Sequence, residues 1–312
     1  MKKLEYYLRP TQVGLFNLII NNYRDKAIIR KGKYILVKGD APVMLLAHMD
    51  TVHKTPVKHI CESPDGNIIM SPEGIGGDDR CGVYALIKAH DLSEVKPWLL
   101  FTCDEEIGGI GASAFTADYC SCKLPKELDE LNFLIEIDRK GSKDAVYYDC
   151  ANGDFEKYIT SKGFVTAYGS FSNISVIAPE LGVAAVNLSS GYYNPHTQHE
   201  YINRKHLYAV IDSVIEIIAE TVKSEIPRYE YIEQTWTHKS YWDDLSFKTR
   251  EAYRTHSDLP GDLVDAYIDL LDTYTHTELE DYRKEYGNSI IAELHEAEFS
   301  YLYDDRFEEE LL

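Results

Sequence analysis

The chain has 312 residues, 44% of them hydrophobic, and a formal net charge of −20 from 52 Asp/Glu and 32 Lys/Arg. That length accommodates one large α/β domain, or a domain of ordinary size with an appendage, and excludes a mini-protein or a long multidomain array. The acidity argues against nucleic acid as a partner, because a strand is held by clustered Lys/Arg that displace its counterions, and the longest apolar runs, 43–47 and 183–186, are too short to cross a membrane.

The first ten residues carry charge but no apolar core of signal-peptide length and no small-residue cleavage site, which predicts a cytoplasmic location. A hairpin fits Ala27–Arg30 and Tyr34–Val37, which flank Lys31-Gly32-Lys33. Beyond it, apolar runs at 43–47, 67–70, 98–103, 133–137, 145–148 and 183–188 read as strands. Helices are expected between them at 82–89, 154–161, 174–181 and 205–223. Strands that are apolar throughout and alternate with helices predict an α/β fold, a mostly parallel mixed sheet sandwiched by helices. Six cysteines in a chain this long are too sparse for a disulfide scaffold and read as reduced thiols. Cys120-Ser121-Cys122 lacks the two-residue spacer of common zinc sites, and no second pair answers it.

The last stretch differs. Residues 241–312 hold 20 Asp/Glu and 6 Lys/Arg, so −14 of the −20 belongs to them. Leu263, Ala266, Tyr267, Leu270 and Leu271 recur at helical spacing, as do Ile290, Ile291, Leu294, Ala297 and Tyr301, and no strand is expected beyond about residue 235. The expected division is a domain at 1–228 and an acidic helical extension at 229–312, with its boundary near Ile226-Pro227. The extension either packs on the sheet or on a second subunit of a homo-oligomer, or it helps to shape a cleft.

Five short pieces carry chemistry, each where a strand ends or a loop begins, the place where open α/β sheets collect ligands. Ala47-His48-Met49-Asp50 puts an imidazole and a carboxylate on one face of an extended chain, so Asp50 can orient His48, although a lone His-x-Asp is as readily structural. Gly74-Ile75-Gly76-Gly77-Asp78-Asp79 surrounds an acidic pair with glycines at the mouth of a helix. Such a turn can cradle phosphate, but adjacent carboxylates would repel an anion and no Walker lysine follows. Asp104-Glu105-Glu106 ends a buried-looking strand in three acids, an arrangement that requires either cations or full solvation. Glu136-Ile137-Asp138 again ends an apolar strand in a carboxylate, and Tyr192-Tyr193-Asn194-Pro195-His196-Thr197-Gln198-His199-Glu200 brings two histidines ahead of the last long helix.

In this order the pieces, within residues 40–222, resemble the zinc exopeptidase superfamily that includes tripeptidase T, bacterial aminopeptidases and N-acyl amino acid deacylases. The resemblance implies two divalent ions, zinc first and cobalt or manganese as alternatives. His48, Asp78 and Asp138 would hold one; Asp78, Glu106 and His196 would hold the other. Asp78 then bridges, Asp50 orients His48, and Glu105 is the general base. His196 is preferred to His199 because the family's last ligand stands four residues before a glutamate, here Glu200. Members often have a cis peptide after the bridging aspartate, here between Asp78 and Asp79. The implied activity is hydrolysis of peptide bonds by an aminopeptidase acting on short peptides. The alternatives are a deacylase of N-acyl amino acids and a non-catalytic interaction protein that keeps the fold.

Many relatives insert a lid or dimerisation domain between the fourth and fifth pieces. Here 58 residues separate Asp138 from His196, already consumed by strand, helix, helix and strand, so a compact lidless catalytic domain is expected. An oxyanion donor must then come from elsewhere, and Tyr168, Asn173, Tyr192 and Tyr193 are the candidates. A substrate amine would be received by surplus acids such as Asp79, Asp104 or Glu136; a substrate carboxylate would be received by Arg80 or Arg139.

Overall fold

The computed structural model describes residues 2–150, 152–169, 171–223 and 226–232, then 259, 263, 266, 267, 270, 274 and 276–299. The chain divides into two compact units, Met1–Glu233 and Gln234–Leu312. The first unit begins with helices α1 (Glu5–Leu8) and α2 (Gln12–Tyr23) and the strands β1 (Ala27–Arg30), β2 (Tyr34–Val37), β3 (Val43–His48), β4 (Cys61–Glu62) and β5 (Ile68–Met70). It continues through α3 (Gly77–Leu92), β6 (Trp98–Thr102), α4 (Ile110–Cys120), β7 (Phe133–Arg139), β8 (Asp144–Val146), α5 (Gly153–Ser161) and β9 (Val165–Ala167). It closes with α6 (Asn173–Leu181), β10 (Ala185–Ser189), β11 (Tyr192–Tyr193), β12 (Tyr201–Asn203) and α7 (Arg204–Lys223).

Eight strands form one mixed sheet in the order β1-β2-β6-β3-β7-β10-β8-β9, and its four middle strands, β6, β3, β7 and β10, run parallel. Side chains alternate across the pleat, so β3 sends Val43, Leu45 and Ala47 to one face and Met44 and Leu46 to the other. The first set joins a core with Val83 and Leu86 of α3 and Val210 and Val214 of α7; the second joins Phe115 of α4 and Ile174 and Ile177 of α6. Helices on both faces explain why these strands are apolar without a break.

Every expected strand and helix of the first unit has a counterpart, with ends moved by a few residues. The largest shift is at α3, which starts at Gly77 rather than Gly82, but Asp78 and Asp79 have non-helical angles and the regular turns follow them. Three features carry no sequence signal. The four-stranded sheet β11-β12-β5-β4 is built of two- and three-residue strands, too short to show a period. The helix α2, starting from the Thr11 cap, was not expected either. In α4 the buried face includes Gly111, Ala112 and Phe115, and a Cβ on Gly111 would lie 2.5 Å from the Lys33 carbonyl oxygen and 2.6 Å from Cys103 N; the small residues allow a close backbone approach and thin the apolar stripe.

Among the described residues of the second unit, α8 (His276–Tyr286) and α9 (Ser289–Phe299) contribute to a core of its own, in which Leu259, Ala266, Tyr267, Leu270, Leu279 and Ile291 are buried together. Ile290 and Leu294 pack at its edge, whereas Ala297 is exposed; Leu271 and Tyr301 lie outside the described residues. No described helix is long and apolar enough to cross a membrane, and all six cysteines are free.

Gly82 sets how closely α3 approaches β7. A Cβ there would lie 2.1 Å from the Ile137 carbonyl oxygen and 2.4 Å from Asp79 Oδ2. Gly82→Ala should therefore destabilise the first unit by about 1–3 kcal/mol, read from its denaturant midpoint; an unchanged midpoint would mean that α3 moves away freely.

Candidate metal centre

The carboxyl ends of the three central strands deliver the site. β3 ends in His48, β6 leads into Asp104-Glu105-Glu106, and β7 carries Asp138 one residue from its end. The α3 entrance supplies Asp78, and the loop between β11 and β12 supplies His196. Asp78 faces two imidazoles at once: Oδ1 lies 3.2 Å from His48 Nε2, and Oδ2 lies 3.2 Å from His196 Nε2. Asp138 Oδ1 is 3.5 Å from His48 Nε2, and Glu106 Oε2 is 3.2 Å from His196 Nε2. Two three-donor groups result, His48-Asp78-Asp138 and Asp78-Glu106-His196, sharing Asp78. His199, the other histidine of the fifth piece, belongs to neither and is exposed.

These separations test whether a metal fits. Zinc bonds to nitrogen and oxygen of roughly 2.0–2.1 Å put neighbouring donors of a tetrahedron about 3.3 Å apart, and all four observed contacts lie between 3.2 and 3.5 Å. Glu106 Oε1 and Asp138 Oδ1 are buried without a hydrogen-bond partner, the condition of a donor atom that a cation would satisfy. A third grouping, His48-Glu105-Glu106, also exists, but Glu105 Oε2 stands 3.9 Å from His48 Nε2, farther than a shared coordination edge.

Charge shapes the site as strongly as distance. Burial raises Asp138 well above the ordinary carboxylate range, and the charge of Asp78 adds to that. Burial would raise Asp78 too, but hydrogen bonds from His196 and His48 hold it far below that range. The imidazoles respond in the opposite sense: against a burial that disfavours charge, contacts with Asp78 and Glu106 push His196 up to about 12, and Asp138 leads in raising His48. Glu105 is pushed up to about 8, first by burial and then by the neighbouring acids Glu106, Glu136 and Asp78.

The supporting contacts were partly legible. Asp50 Oδ1 lies 3.3 Å from His48 Nδ1, the expected orienting contact, and Oδ2 also accepts a hydrogen bond from Glu106 N at 3.0 Å. Asp50 therefore joins the first imidazole to the loop of the acids. Gln12, which nothing in the sequence marked, holds that loop from the other side: Nε2 donates to Asp104 Oδ1 at 2.8 Å and Oε1 accepts from Asp104 N at 3.1 Å. Asp104 and His196 both adopt positive φ, 58° and 61°, in the left-handed region that side chains enter mainly where function or packing fixes them. The Asp78-Asp79 peptide is cis, as the resemblance implied. Glu200 and His53 were also missed as contributors; Glu200, used only as a spacing marker, is fully buried against the backbone of Asp78.

Most of the surplus polar candidates are committed elsewhere. Asp79 is buried and accepts from Gly82 N at 2.9 Å, and Glu136 is buried among Ser172, Asn173 Nδ2 at 2.8 Å and Ile174 N at 3.2 Å. Arg80 Nη1 donates to the carbonyls of Tyr7 and Pro10, and Arg139 Nη2 to that of Tyr168. Tyr192 OH donates to the Asp138 carbonyl at 3.2 Å, and Tyr193 OH pairs with His206 Nδ1 at 2.6 Å while its ring stacks on Tyr201. Tyr168 is 81% exposed.

No protein-family model matches the chain, and no curated protein matches it in sequence. Its structure is similar to a tripeptidase from Staphylococcus aureus, with 15% identity and a TM-score of 0.55 over 71% of this chain and 97% of that one. It is likewise similar to aminopeptidase PepT from Bacillus cereus, with 14% identity and a TM-score of 0.52 over 70% and 96% of the two chains. A third likeness is to the TET1 peptidase of Pyrococcus horikoshii, with 13% identity and a TM-score of 0.51 over 69% and 98%. The first unit shares the mixed α/β fold of these peptidases. Between Asp138 and His196 the described residues form β8, α5, β9, α6, β10 and β11 with no inserted domain.

Metal uptake should displace the protons that the imidazoles hold. Adding Zn²⁺ to metal-free protein at pH 7 is expected to release protons, with affinity rising as pH rises. Calorimetry in two buffers of different ionisation enthalpy measures this release, and identical heats in both would contradict it.

Proposed function

We propose that the chain is a dinuclear zinc metallopeptidase, an aminopeptidase that removes residues from short peptides, with the first unit as its catalytic domain. The observation that carries this reading is the single carboxylate of Asp78 offering one oxygen to the His48 group and the other to the His196 group. His48, Asp78 and Asp138 would hold one ion, and Asp78, Glu106 and His196 the other. When bound, such a metal pair lowers the pKa of a shared water and polarises the scissile carbonyl.

The remaining chemistry belongs to side chains. Glu105 is outside both donor groups yet beside them, with Oε2 3.9 Å from His48 Nε2. It takes the proton of the attacking water and passes it to the leaving amine. Asp50 keeps His48 and the Glu106 loop in register, so the two donor groups keep their spacing. The site opens on the His196 side, where a third of that side chain is exposed against 1% for His48, and substrate enters there. Tyr168, Asn173, Tyr192 and Tyr193 remain the candidates for the developing oxyanion.

The preference for peptides over N-acyl amino acids is supported by the compact architecture, which the tripeptidase and aminopeptidase likenesses match along nearly their whole lengths. Assembly into a homo-oligomer belongs to the same reading, since TET1 of Pyrococcus horikoshii can assemble into a tetrahedron or a large octahedral shell.

Glu105→Gln should lower turnover of a short peptide by roughly 10²–10⁴-fold while the protein still binds two zinc ions by elemental analysis. Near-normal turnover in that variant would remove Glu105 from the mechanism. In the wild-type chain, chelation should abolish release of N-terminal residues and added zinc should restore it. Cleavage that survives exhaustive chelation, or that acts only on N-acetylated substrates, would overturn the aminopeptidase reading.

A further inference from the structure

The glycine-rich loop ahead of Asp78 closes around two residues outside both donor groups. Glu200 is completely buried, and its carboxylate is fully used: Oε1 accepts the Asp78 N–H at 2.8 Å, and Oε2 accepts the Gly76 N–H at 3.0 Å while lying 2.7 Å from His53 Nε2. The loop follows this pair closely. A Cβ on Gly74, where φ is +82°, would lie 2.2 Å from His53 Nδ1, and one on Gly77 would lie 3.0 Å from Glu200 Oε1 and 2.7 Å from Tyr192 Cβ. Side chains at these positions would drive the loop off the pair.

We propose that Glu200 and His53 form a positioning pair that fixes the main chain of Asp78, so that its carboxylate can serve two metal ions at once; this rests on the dinuclear reading above. A bridging carboxylate must present both oxygens in fixed directions, and its own side chain has no other anchor once both oxygens are ligands. Orientation must then come from the backbone. Asp78 has φ −81° and ψ 104°, outside the helix it introduces, so no intrahelical bond supplies that hold. Glu200 supplies it, taking the N–H of Asp78 and that of Gly76 two residues before.

His53 completes the pair. A buried carboxylate is tolerated when its oxygens are hydrogen-bonded or its charge is balanced, and the imidazole contributes the third contact on Glu200. Glu200 also lies four residues after His196, so the segment that brings the second imidazole anchors the carboxylate that imidazole must meet. Outer partners of this kind orient ligands, and their loss typically weakens metal binding by about 10- to 100-fold.

The test compares wild type, Glu200→Gln and His53→Ala by zinc competition with a chromophoric chelator and by thermal melting of the metal-free proteins. The expected result is zinc binding weaker by about 10- to 100-fold in Glu200→Gln, beyond what its lowered metal-free melting temperature accounts for, and a smaller loss in His53→Ala with the metal-free melting temperature unchanged. The visible spectrum of the Co²⁺-loaded variants should shift as the bridging geometry relaxes. Wild-type zinc affinity in both variants overturns the proposal, as does a loss of affinity matched by an equal loss of metal-free stability. His53 lies at the wall of a cavity of ≈ 240 Å³, so His53→Ala decides the matter if Glu200→Gln does not fold. A wild-type chain that binds fewer than two zinc ions refutes the dinuclear reading and this proposal together.

Discussion

The Asp78 carboxylate, with an imidazole 3.2 Å from each of its oxygens, draws the other side chains of the site into place. Asp138 and Glu106 approach it from two different strands, and Glu105 follows on the same loop as Glu106. So many carboxylates gathered in a poorly hydrated site repel one another, and the arrangement persists because opposite charge is available at its centre. The two imidazoles supply it, each raised by the acids it faces, and the donor spacing of 3.2–3.5 Å also suits a cation.

The parallel sheet is what makes this convergence geometrically cheap. Three neighbouring strands, β6, β3 and β7, end at the same level, so residues far apart in the chain arrive side by side. Their apolar bodies are buried on both faces, which fixes register, and apart from the buried Glu136 their acids stand at the strand ends. Around those ends the chain ties its loops together with bonds from distant segments. Asp50 links the first imidazole to the Glu106 backbone, and Gln12, from the second helix, pins Asp104 at both its amide and its carboxylate. Each is a local contact with a remote origin.

The compactness between Asp138 and His196 bears on specificity. β8, α5, β9, α6, β10 and β11 fill that interval, so no inserted domain stands there. Several polar residues that might have read a substrate are turned inward: Glu136 supports Ser172 and Asn173, and Arg80 secures the N-terminal segment through the carbonyls of Tyr7 and Pro10. Tyr168 is 81% exposed, and a third of the His196 side chain is exposed at the rim of the site.

The sequence by itself determined the strand order of chemistry, because residues that end a doubly covered strand are displayed by an unbroken apolar run followed by a charge. His48, Glu106 and Asp138 were readable in that way, and the glycines flanking Asp78 marked a loop with unusual backbone demands. The second core, made by α8 and α9 with Tyr267 and Leu270, was foreshadowed by helical spacing, although the exposure of Ala297 shows that spacing alone sets a stripe only approximately. Only the tertiary structure decided which acids meet the imidazoles and which are taken by backbone and side-chain donors, since Asp79 and Glu136 look like Asp78 and Asp138 in a sequence but accept hydrogen bonds from Gly82 N and from Ser172, Asn173 and Ile174 N. It alone brought Gln12 to Asp104 and the Glu200–His53 pair to Asp78. Those contacts span 92, 122 and 147 positions, and a hydrogen bond between distant residues leaves no periodic trace in the chain that makes it.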